Sequence, residues 1–471
     1  MVSAVTRHVS KTIHLIGIGG AGMSGMAKVL SRGGATVTGS DVRESSTLES
    51  LRRDYGIEAI AGHAAENIGG AELVVVSAAV KKDNPEIVAA RERGIAIISR
   101  AEMLGRIMAD YHRSIAISGT HGKTTTTGMI ALVMETAGLD PTVLIGGDLP
   151  EFGGNARLGA SDVFVAEACE AYDSFLDLNP WLTVITNIEA DHLDYYGDFN
   201  NILRSFRKFV RQTSGKAVVC GHDKGVAELL ADDAGFPPIV LYGSREGLTM
   251  RAKDFLLDGM NPSYTATYDG VELGRITLSV PGLHNVANSM AAVAVGREMG
   301  IPFEKIAEGL ARFRGTGRRF EHVGDREGVT VIDDYAHHPT EIRATLAAAR
   351  VAYGSRRIVA VFQPHLPSRT SDFMEEFAES FRDADQVLLT DIFLAREAPL
   401  EGVTGASLAA LTADRRGADR VTYVADKAAL PSRIADIVKP GDIVLTLGAG
   451  HDVREVAEAF LNVGAVKAGV A

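Results

Sequence analysis

The chemistry most legible in this chain of 471 residues lies between positions 119 and 192. Gly119-Thr120-His121-Gly122-Lys123-Thr124-Thr125 follows the apolar run Ser114–Ile117 and leads into a helix-length stretch from Thr124 to Glu135. A glycine-rich turn between a strand and a helix presents backbone N–H groups and the positive end of the helix dipole to an anion. Lys123 adds a point charge, and the Thr124 hydroxyl offers an oxygen to Mg²⁺. Two residues lie between Gly119 and Gly122 where the general phosphate loop has four, so this is a shortened variant. The plainer alternative is a helix start with a solvated lysine, which leaves the run of threonines from 124 to 127 without a role.

Two acidic or polar strand ends follow. Val163–Glu167 closes an apolar run on a carboxylate, and the run Leu182–Thr186 leads into Asn-Ile-Glu-Ala-Asp-His192. Ligands of open α/β sheets sit at the carboxyl ends of strands, so Glu167 and His192 should converge on the phosphate loop and, with Thr124, form a Mg²⁺ site. Singly, His192 also reads as a surface histidine, Glu170 as a solvated charge and Cys169 as packing. Upstream, Gly17-Ile-Gly19-Gly20-Ala21-Gly22 follows another strand pattern, with Asp41 about 20 residues further on. This pattern marks a helix N-terminus that receives a diphosphate, with an acid able to bond a ribose hydroxyl. NAD and a nucleoside-diphosphate sugar meet that need equally.

The elements that hold these residues are short strands alternating with helices, and the alternation restarts twice. Ile13–Ile18, Ala35–Thr38, Leu73–Val76 and Ile95–Ile98 belong to a first block, residues 1–112. A second block, 113–316, opens at the phosphate loop. It carries shorter alternating runs between Leu241 and Pro281, with Asp269-Gly270 as a turn, which reads as a small antiparallel flap; a long helix after His284 closes the block. The third, 317–471, contains Val329–Ile332, Ile358–Phe362, Val387–Thr390, Val421–Val424 and Ile443–Leu447. The expected architecture is α/β in three domains. A Rossmann-like N-terminal domain is followed by a central P-loop ATPase with a mainly parallel sheet and a Rossmann-like C-terminal domain.

Composition narrows the partners. A net charge of −12 disfavours a nucleic-acid or anionic-membrane surface, and no apolar run is long enough to span a bilayer. Two cysteines, Cys169 and Cys220, provide neither a disulfide framework nor a cysteine zinc site, and no export signal is read at the N-terminus, so a cytoplasmic protein is expected.

In their order, several segments resemble the Mur ligase family, ATP-dependent amide-forming enzymes of peptidoglycan synthesis. They are His14–Gly25, the phosphate loop, Glu167–Glu170, Thr186–Asp194, His284–Asn288, Gly317–Phe320, Asp333–Pro339 and Gln363–His365. The resemblance runs from about His14 to the last strand. It implies a UDP-substrate domain with Gly17, Gly19, Gly20, Ala21, Gly22 and Asp41 at the diphosphate and ribose, a central ATPase, and a C-terminal domain that closes on the nucleotide. Gly119, Thr120, His121, Gly122, Lys123, Thr124 and Thr125 would hold the phosphates; Thr124, Glu167 and His192 would surround Mg²⁺. His284 and Asn288 would lie near adenine, and Arg319 and Asp334 would complete the ATP site. Tyr335, His337, His365 and Arg369 would face the amino acid and the muramoyl carboxylate. The implied reaction joins L-alanine to the lactyl carboxylate of UDP-N-acetylmuramate through an acyl phosphate, with Lys123, Glu167 and His192 as catalytic residues, in a monomer or homodimer.

Read from the residues alone, the last group leaves alternatives open. His337-His338-Pro339 is a helix start or a substrate contact, Arg318-Arg319 a solvated pair or a phosphate clamp, and Asp333-Asp334 a like-charged pair that needs a cation or donors nearby. The chain departs from the family pattern in having Leu366 and Pro367 after His365, where many relatives have an arginine. Arg207 and Lys208 lie near the expected position of a carbamylated lysine found in sister ligases. Rival readings are a family member that transfers a murein tripeptide, an NAD-dependent dehydrogenase and a non-catalytic nucleotide sensor.

Overall fold

The computed structural model describes residues 12–463 apart from residues 233, 258 and 396. Described residues up to Phe255, with Tyr264–Thr277 and Ala287–Arg314, form one compact unit; Leu256–Ser263, Leu278–Val286 and those from Gly315 on form a second.

The first unit carries two sheets. In the N-terminal one, β1 (Thr12–Ile16), β2 (Thr36–Asp41), β3 (Glu58–Ala61), β4 (Leu73–Val76) and β5 (Ala96–Ser99) pair in the order β3-β2-β1-β4-β5, all parallel. Helices α1 (Ala21–Arg32), α2 (Ser46–Tyr55) and α3 (Pro85–Glu92) make crossovers, and α4 (Arg100–Met108) leads from β5 to the next sheet. The strand order reverses at β1, so the turn after β1 opens at the switch point where such sheets bind ligands. The buried Glu86 carboxylate pins the layers beneath this point. Burial opposes its charge, but hydrogen bonds involving His14, Ser40 and Asn67 outweigh it and hold the group near about 2.

The central sheet has ten strands in the order β15-β14-β13-β12-β11-β10-β6-β9-β7-β8. In chain order they are β6 (Arg113–Ser118), β7 (Thr142–Leu149), β8 (Gly154–Arg157), β9 (Val163–Glu167), β10 (Leu182–Ile185), β11 (Lys216–Cys220), β12 (Ile239–Gly243), β13 (Met250–Leu256), β14 (Ser263–Tyr268) and β15 (Val271–Thr277). Strand β6 lies between β10 and β9, parallel to both, and all six residues of β6 except Arg113 are buried. The phosphate loop therefore leaves the middle of the sheet and enters α5 (Lys123–Thr136), whose own first turns are buried. Helices α6 (Leu193–Tyr196), α7 (Phe199–Arg211), α8 (Lys224–Leu230), α9 (Leu283–Glu298) and α10 (Phe303–Arg312) complete the block.

The antiparallel flap expected between Leu241 and Pro281 is the β14-β15 hairpin, which continues this sheet. β12 pairs parallel with β11, and β13 parallel with β12. The hairpin β14-β15 turns on Asp269 and Gly270, both at positive φ, as a two-residue hairpin loop of the primed type demands. A second hairpin, β7-β8, is antiparallel at the opposite edge.

The second unit carries β16 (Glu321–Arg326), β17 (Val329–Asp334), β18 (Ile358–Phe362), β19 (Gln386–Leu389), β20 (Val421–Tyr423) and β21 (Ile443–Leu447), ordered β16-β17-β21-β18-β19-β20. Only β16 runs antiparallel. Apolar cores lie on both faces, one including Phe362, Phe377 and Phe381 and the other Val361, Leu430 and Phe460, so the sheet is enclosed between helix layers. Among the described residues no helix is long and apolar enough to cross a membrane.

Candidate active site

The phosphate loop is held from below by the end of β10. Thr186 Oγ1 donates to the His121 carbonyl at 2.6 Å, and Asn187 both accepts from the His121 N–H at 2.8 Å and donates to its carbonyl at 3.0 Å. The Thr120 hydroxyl accepts from the Glu189 N–H at 2.8 Å. This close approach explains the glycines. Gly119 has φ +129 and a Cβ there would overlap Thr186 Oγ1; Gly122, the N-cap of α5, has φ +82, and a Cβ would come within 2.6 Å of Asn288 Oδ1. Asn288 on α9 thus belongs to the loop's immediate surroundings, and Thr125 is buried in the first turn of α5.

Lys123 and Glu167 emerge from this frame. Lys123 Nζ donates to the carbonyls of Gly119 at 2.6 Å and Thr120 at 3.0 Å, and lies 2.8 Å from Glu170 Oε2. Burial works against its ammonium, but the Glu170 carboxylate outweighs burial and raises the lysine above its ordinary value. Glu170, which alone reads as a solvated charge, is instead 4% exposed and is the lysine's counter-ion. Thr124 Oγ1 donates to Glu167 Oε1 at 2.8 Å, while the Gly146 N–H donates to Glu167 Oε2. His192, at φ +54, caps α6, with Nε2 4.0 Å from Glu170 Oε1 and 3.8 Å from Asp191 Oδ2. The Thr124 hydroxyl and the Glu167 carboxylate in contact are a donor pair suited to a hard cation such as Mg²⁺, while His192 stands beside Glu170, the partner of Lys123. Burial pushes the Cys169 thiol up, which agrees with a packing role.

The upstream glycine loop faces the same space. Gly17 N–H donates to the Ser40 carbonyl at 2.8 Å, Gly20 caps α1, and Gly19 N–H donates to Asp41 Oδ2 at 2.9 Å. Asp41 also accepts from the Val42 N–H, so its first task here is to fix the loop. A cavity of about 360 Å³ is lined at once by Gly20, Ala21 and Gly22 and by Lys123, Glu167 and Cys169. Leu144, Ile145 and Gly146 of β7 form part of its wall. Arg100, the first residue of α4, lines it as well; its guanidinium lies over Gly22, where a Cβ would be 2.8 Å from a guanidinium nitrogen. Arg100 makes no ion pair among the described residues. Arg207 donates to the Glu228 carbonyl, Lys208 is exposed on α7, and neither lines the cavity.

The second unit gathers the remaining group. Arg318 is a structural residue: it donates to Asp333 Oδ2 at 3.0 Å and to the Gly448 and Ala449 carbonyls. Arg319 is half-buried, stacks 5.0 Å from the Tyr335 ring and lies 3.8 Å from Glu341. Asp333 and Asp334 face opposite sides of β17. The first meets Arg318 and the Thr446 hydroxyl, and the second accepts backbone N–H groups of Phe320 and Ala336. Burial nevertheless pushes Asp334 up to about 6. His284, in the first turn of α9, is driven down to about 4 by burial and the Arg319 charge. Tyr335, His337, His365 and Arg369 converge at the carboxyl ends of β17 and β18. The His337 ring is 5.0 Å from Tyr335 and 5.9 Å from His365, and Arg369 reaches 3.4 Å from His365 Nδ1. Leu366 takes φ +69 at the cap of the helix Pro367–Asp372, which turns the buried Arg369 back toward His365. His338, beside this group, caps α11 (Pro339–Tyr353).

Three family models match in sequence order: "Mur ligase family, catalytic domain" over residues 12–112, "Mur ligase middle domain" over 117–296, and "Mur ligase, glutamate ligase domain" over 318–450. The chain belongs to the Mur ligase family. This Mur ligase is 49% identical to the UDP-N-acetylmuramate–L-alanine ligase of Trichlorobacter lovleyi over 96% of its own length and 98% of the relative's. Among solved structures it resembles the UDP-N-acetylmuramate-alanine ligase of Thermotoga maritima, with a TM-score of 0.82 and 30% identity, covering 97% of this chain and 99% of the other. A murein peptide ligase of Psychrobacter arcticus follows at TM-score 0.72 and 26% identity, covering 96% and 98%. The Mur ligase fold, α/β in three domains with mostly parallel sheets, is the one anticipated from the alternation of strands and helices.

Sequence reasoning missed Arg100 and Gly146 at this site, and took Glu170 for a surface charge. A signal existed for Glu170 alone, since it lies three residues beyond a strand-end carboxylate.

Proposed function

We infer that this Mur ligase joins the amine of L-alanine to the lactyl carboxylate of UDP-N-acetylmuramate at the expense of ATP. The observation that carries the reading is the shared cavity, into which the diphosphate loop, the phosphate-loop lysine and Glu167 all face. A nucleotide sugar anchored on α1 would extend its carboxylate toward the γ-phosphate held by Lys123. An NAD-dependent dehydrogenase would leave Lys123 and Glu167 without a task in that cavity. The near-full-length relative at 49% identity supports alanine, rather than a tripeptide, as the second substrate.

A free carboxylate does not acylate an amine because oxide is a poor leaving group. In the proposed sequence a carboxylate oxygen attacks the γ-phosphorus, the bond to the bridging oxygen breaks, and ADP departs with that electron pair. The alanine nitrogen then attacks the carbonyl carbon, the C–O bond to phosphate breaks, and the nitrogen loses a proton. The loop N–H groups and Lys123 hold the migrating phosphoryl group, exchanging the Glu170 pair for phosphate oxygens. The α1 N-terminus and Arg100 hold the sugar diphosphate. Thr124, Glu167 and His192 would hold Mg²⁺, which supplies charge neutralisation at the phosphates. His284, Asn288, Arg319 and Asp334 are assigned to the ATP site, and Tyr335, His337, His365 and Arg369 to alanine and the muramoyl carboxylate. The enzyme is proposed to act in the cytoplasm.

The test is ADP release with UDP-N-acetylmuramate, with and without L-alanine, murein tripeptide or NAD(H). ADP release that depends on UDP-N-acetylmuramate and L-alanine together is expected. Release that needs the tripeptide, or that ignores the nucleotide sugar, rejects the reading.

A further inference from the structure

The β7-β8 hairpin touches both ends of the shared cavity. At one end, Asn155 of β8, 3% exposed, donates through Nδ2 to the Ala21 carbonyl at 2.5 Å and to Ser24 Oγ at 3.0 Å. Its Oδ1 accepts from Lys28 Nζ at 2.8 Å; an ammonium can only donate, so this contact fixes which way the amide points. Ala21 is the first residue of α1, so the amide grips the turn that offers its N–H groups to a diphosphate. Gly25 lets the helix lie flush on the hairpin, because a Cβ there would meet Leu144, Ala156 and the Asn155 carbonyl within 3.5 Å.

At the other end, the Gly146 N–H of β7 bonds Glu167, the last residue of β9. The two strands are joined through Val143↔Arg157 and Leu144↔Ala156, and β7 is paired to β9 through Val143↔Val165 and Leu144↔Ala166. A continuous hydrogen-bonded path therefore runs from the glycine loop to the carboxylate beside Thr124.

We propose that Asn155 is a positioning residue: through the hairpin it sets the spacing between the nucleotide-sugar loop and the phosphoryl-transfer end of the cavity, without touching either substrate. The proposal rests on the reading of the cavity as the meeting place of a nucleoside-diphosphate sugar and ATP. Val143 and Leu144 are paired on both sides, and the β7-β8 register breaks only beyond Leu144, so the amide is the joint between this paired stretch and α1. Loss of its donors frees the first turn of α1 while leaving the phosphate loop, which is held by Thr186 and Asn187, in place.

Asn155→Leu keeps the branching and removes both donor and acceptor. Calorimetry with UDP-N-acetylmuramate should show Kd raised about tenfold or more, with Kd for a non-hydrolysable ATP analogue changed by less than about twofold, and kcat should fall at least about tenfold. Lys28→Met, which leaves the amide in place but frees its orientation, should show the same pattern at roughly threefold. Sugar-nucleotide affinity and kcat both unchanged, or both ligands weakened equally, overturns the proposal, and Lys28→Met decides the matter if the first variant does not fold. Wild-type protein that binds the nucleotide sugar without turning over alanine would overturn the proposed function alone, since the two affinities still test Asn155.

Discussion

Lys123 Nζ lies 2.8 Å from Glu170 Oε2, so the charge that should grip a phosphate already has a carboxylate partner. A nucleotide must displace that partner or share it. Glu170→Gln removes the competitor but leaves a buried ammonium without its counter-ion, which should lower the stability of the free enzyme by roughly 1–3 kcal/mol. The nucleotide then restores what the substitution took away. The rise in Tm produced by a saturating ATP analogue should be larger in Glu170→Gln than in the wild type; an equal rise in both would show that the pair does not compete with phosphate.

Glu167 is bonded on both oxygens, by the Thr124 hydroxyl of the phosphate loop and by the Gly146 N–H. Glu167→Gln keeps the volume and loses the negative charge. Turnover should fall by about a hundredfold or more, with half-saturation in Mg²⁺ moved to higher concentration, and chelation by EDTA should silence the wild type reversibly. A variant with an unchanged Mg²⁺ titration would remove Glu167 from the metal site.

Arg100 rests over Gly22 with no acidic partner among the described residues. Charge-assisted bonds from a guanidinium to a phosphate are worth about 1.5–3 kcal/mol, so Arg100→Met should raise KM for UDP-N-acetylmuramate by roughly tenfold to a hundredfold. KM for ATP should remain close to its wild-type value. If both constants rise together, the side chain serves the fold and not the sugar nucleotide.

His284 and Asp334 carry opposite proton linkages within the second unit. Burial, reinforced by Arg319, lowers His284 from 6.5 to about 4: the unfolded chain takes up a proton as pH falls through 6.5, the native protein only near 4, and stability is lost in between. Burial raises Asp334 from 3.8 to about 6, so there the native protein takes its proton first and gains stability over the lower part of the same window. The two slopes largely cancel in the wild type. His284→Gln should expose the Asp334 gain, so that the variant's stability relative to wild type climbs by up to about 3 kcal/mol between neutral pH and pH near 4 in urea denaturation. A constant difference across that range would mean that His284 is charged in the fold.

The residues whose convergence was legible in the sequence are those that end neighbouring strands or follow them closely. Lys123, Thr124 and Glu167 follow uninterrupted apolar runs that pair side by side, and sheet geometry alone brings their ends together. Arg100 gave no such sign: it opens an ordinary helix after β5, and its relation to Gly22 depends on how α4 packs beside α1. Asn155 lies more than a hundred residues from its partners Ala21 and Ser24, in a strand whose sequence, Gly-Asn-Ala-Arg, carries no strand pattern. β3 and β16 escaped notice because they are edge strands, where a charged face to solvent breaks the apolar run that marks the interior ones. Tyr335, His337, His365 and Arg369 could be grouped only through the family resemblance, since two helix starts and a positive φ at Leu366 are needed to turn them toward one another.

In the third sheet, the strand latest in sequence among the described residues is the one in the middle: β21 joins β17 to β18. The N-terminal sheet is built the other way round, on its first strand. As the chain emerges from the ribosome, the glycine loop after β1 can settle into a finished sheet long before the histidines at the ends of β17 and β18 have a common support. A nascent chain that stops short of β21 would thus carry a settled glycine loop while the side chains at the ends of β17 and β18 still lack their shared support.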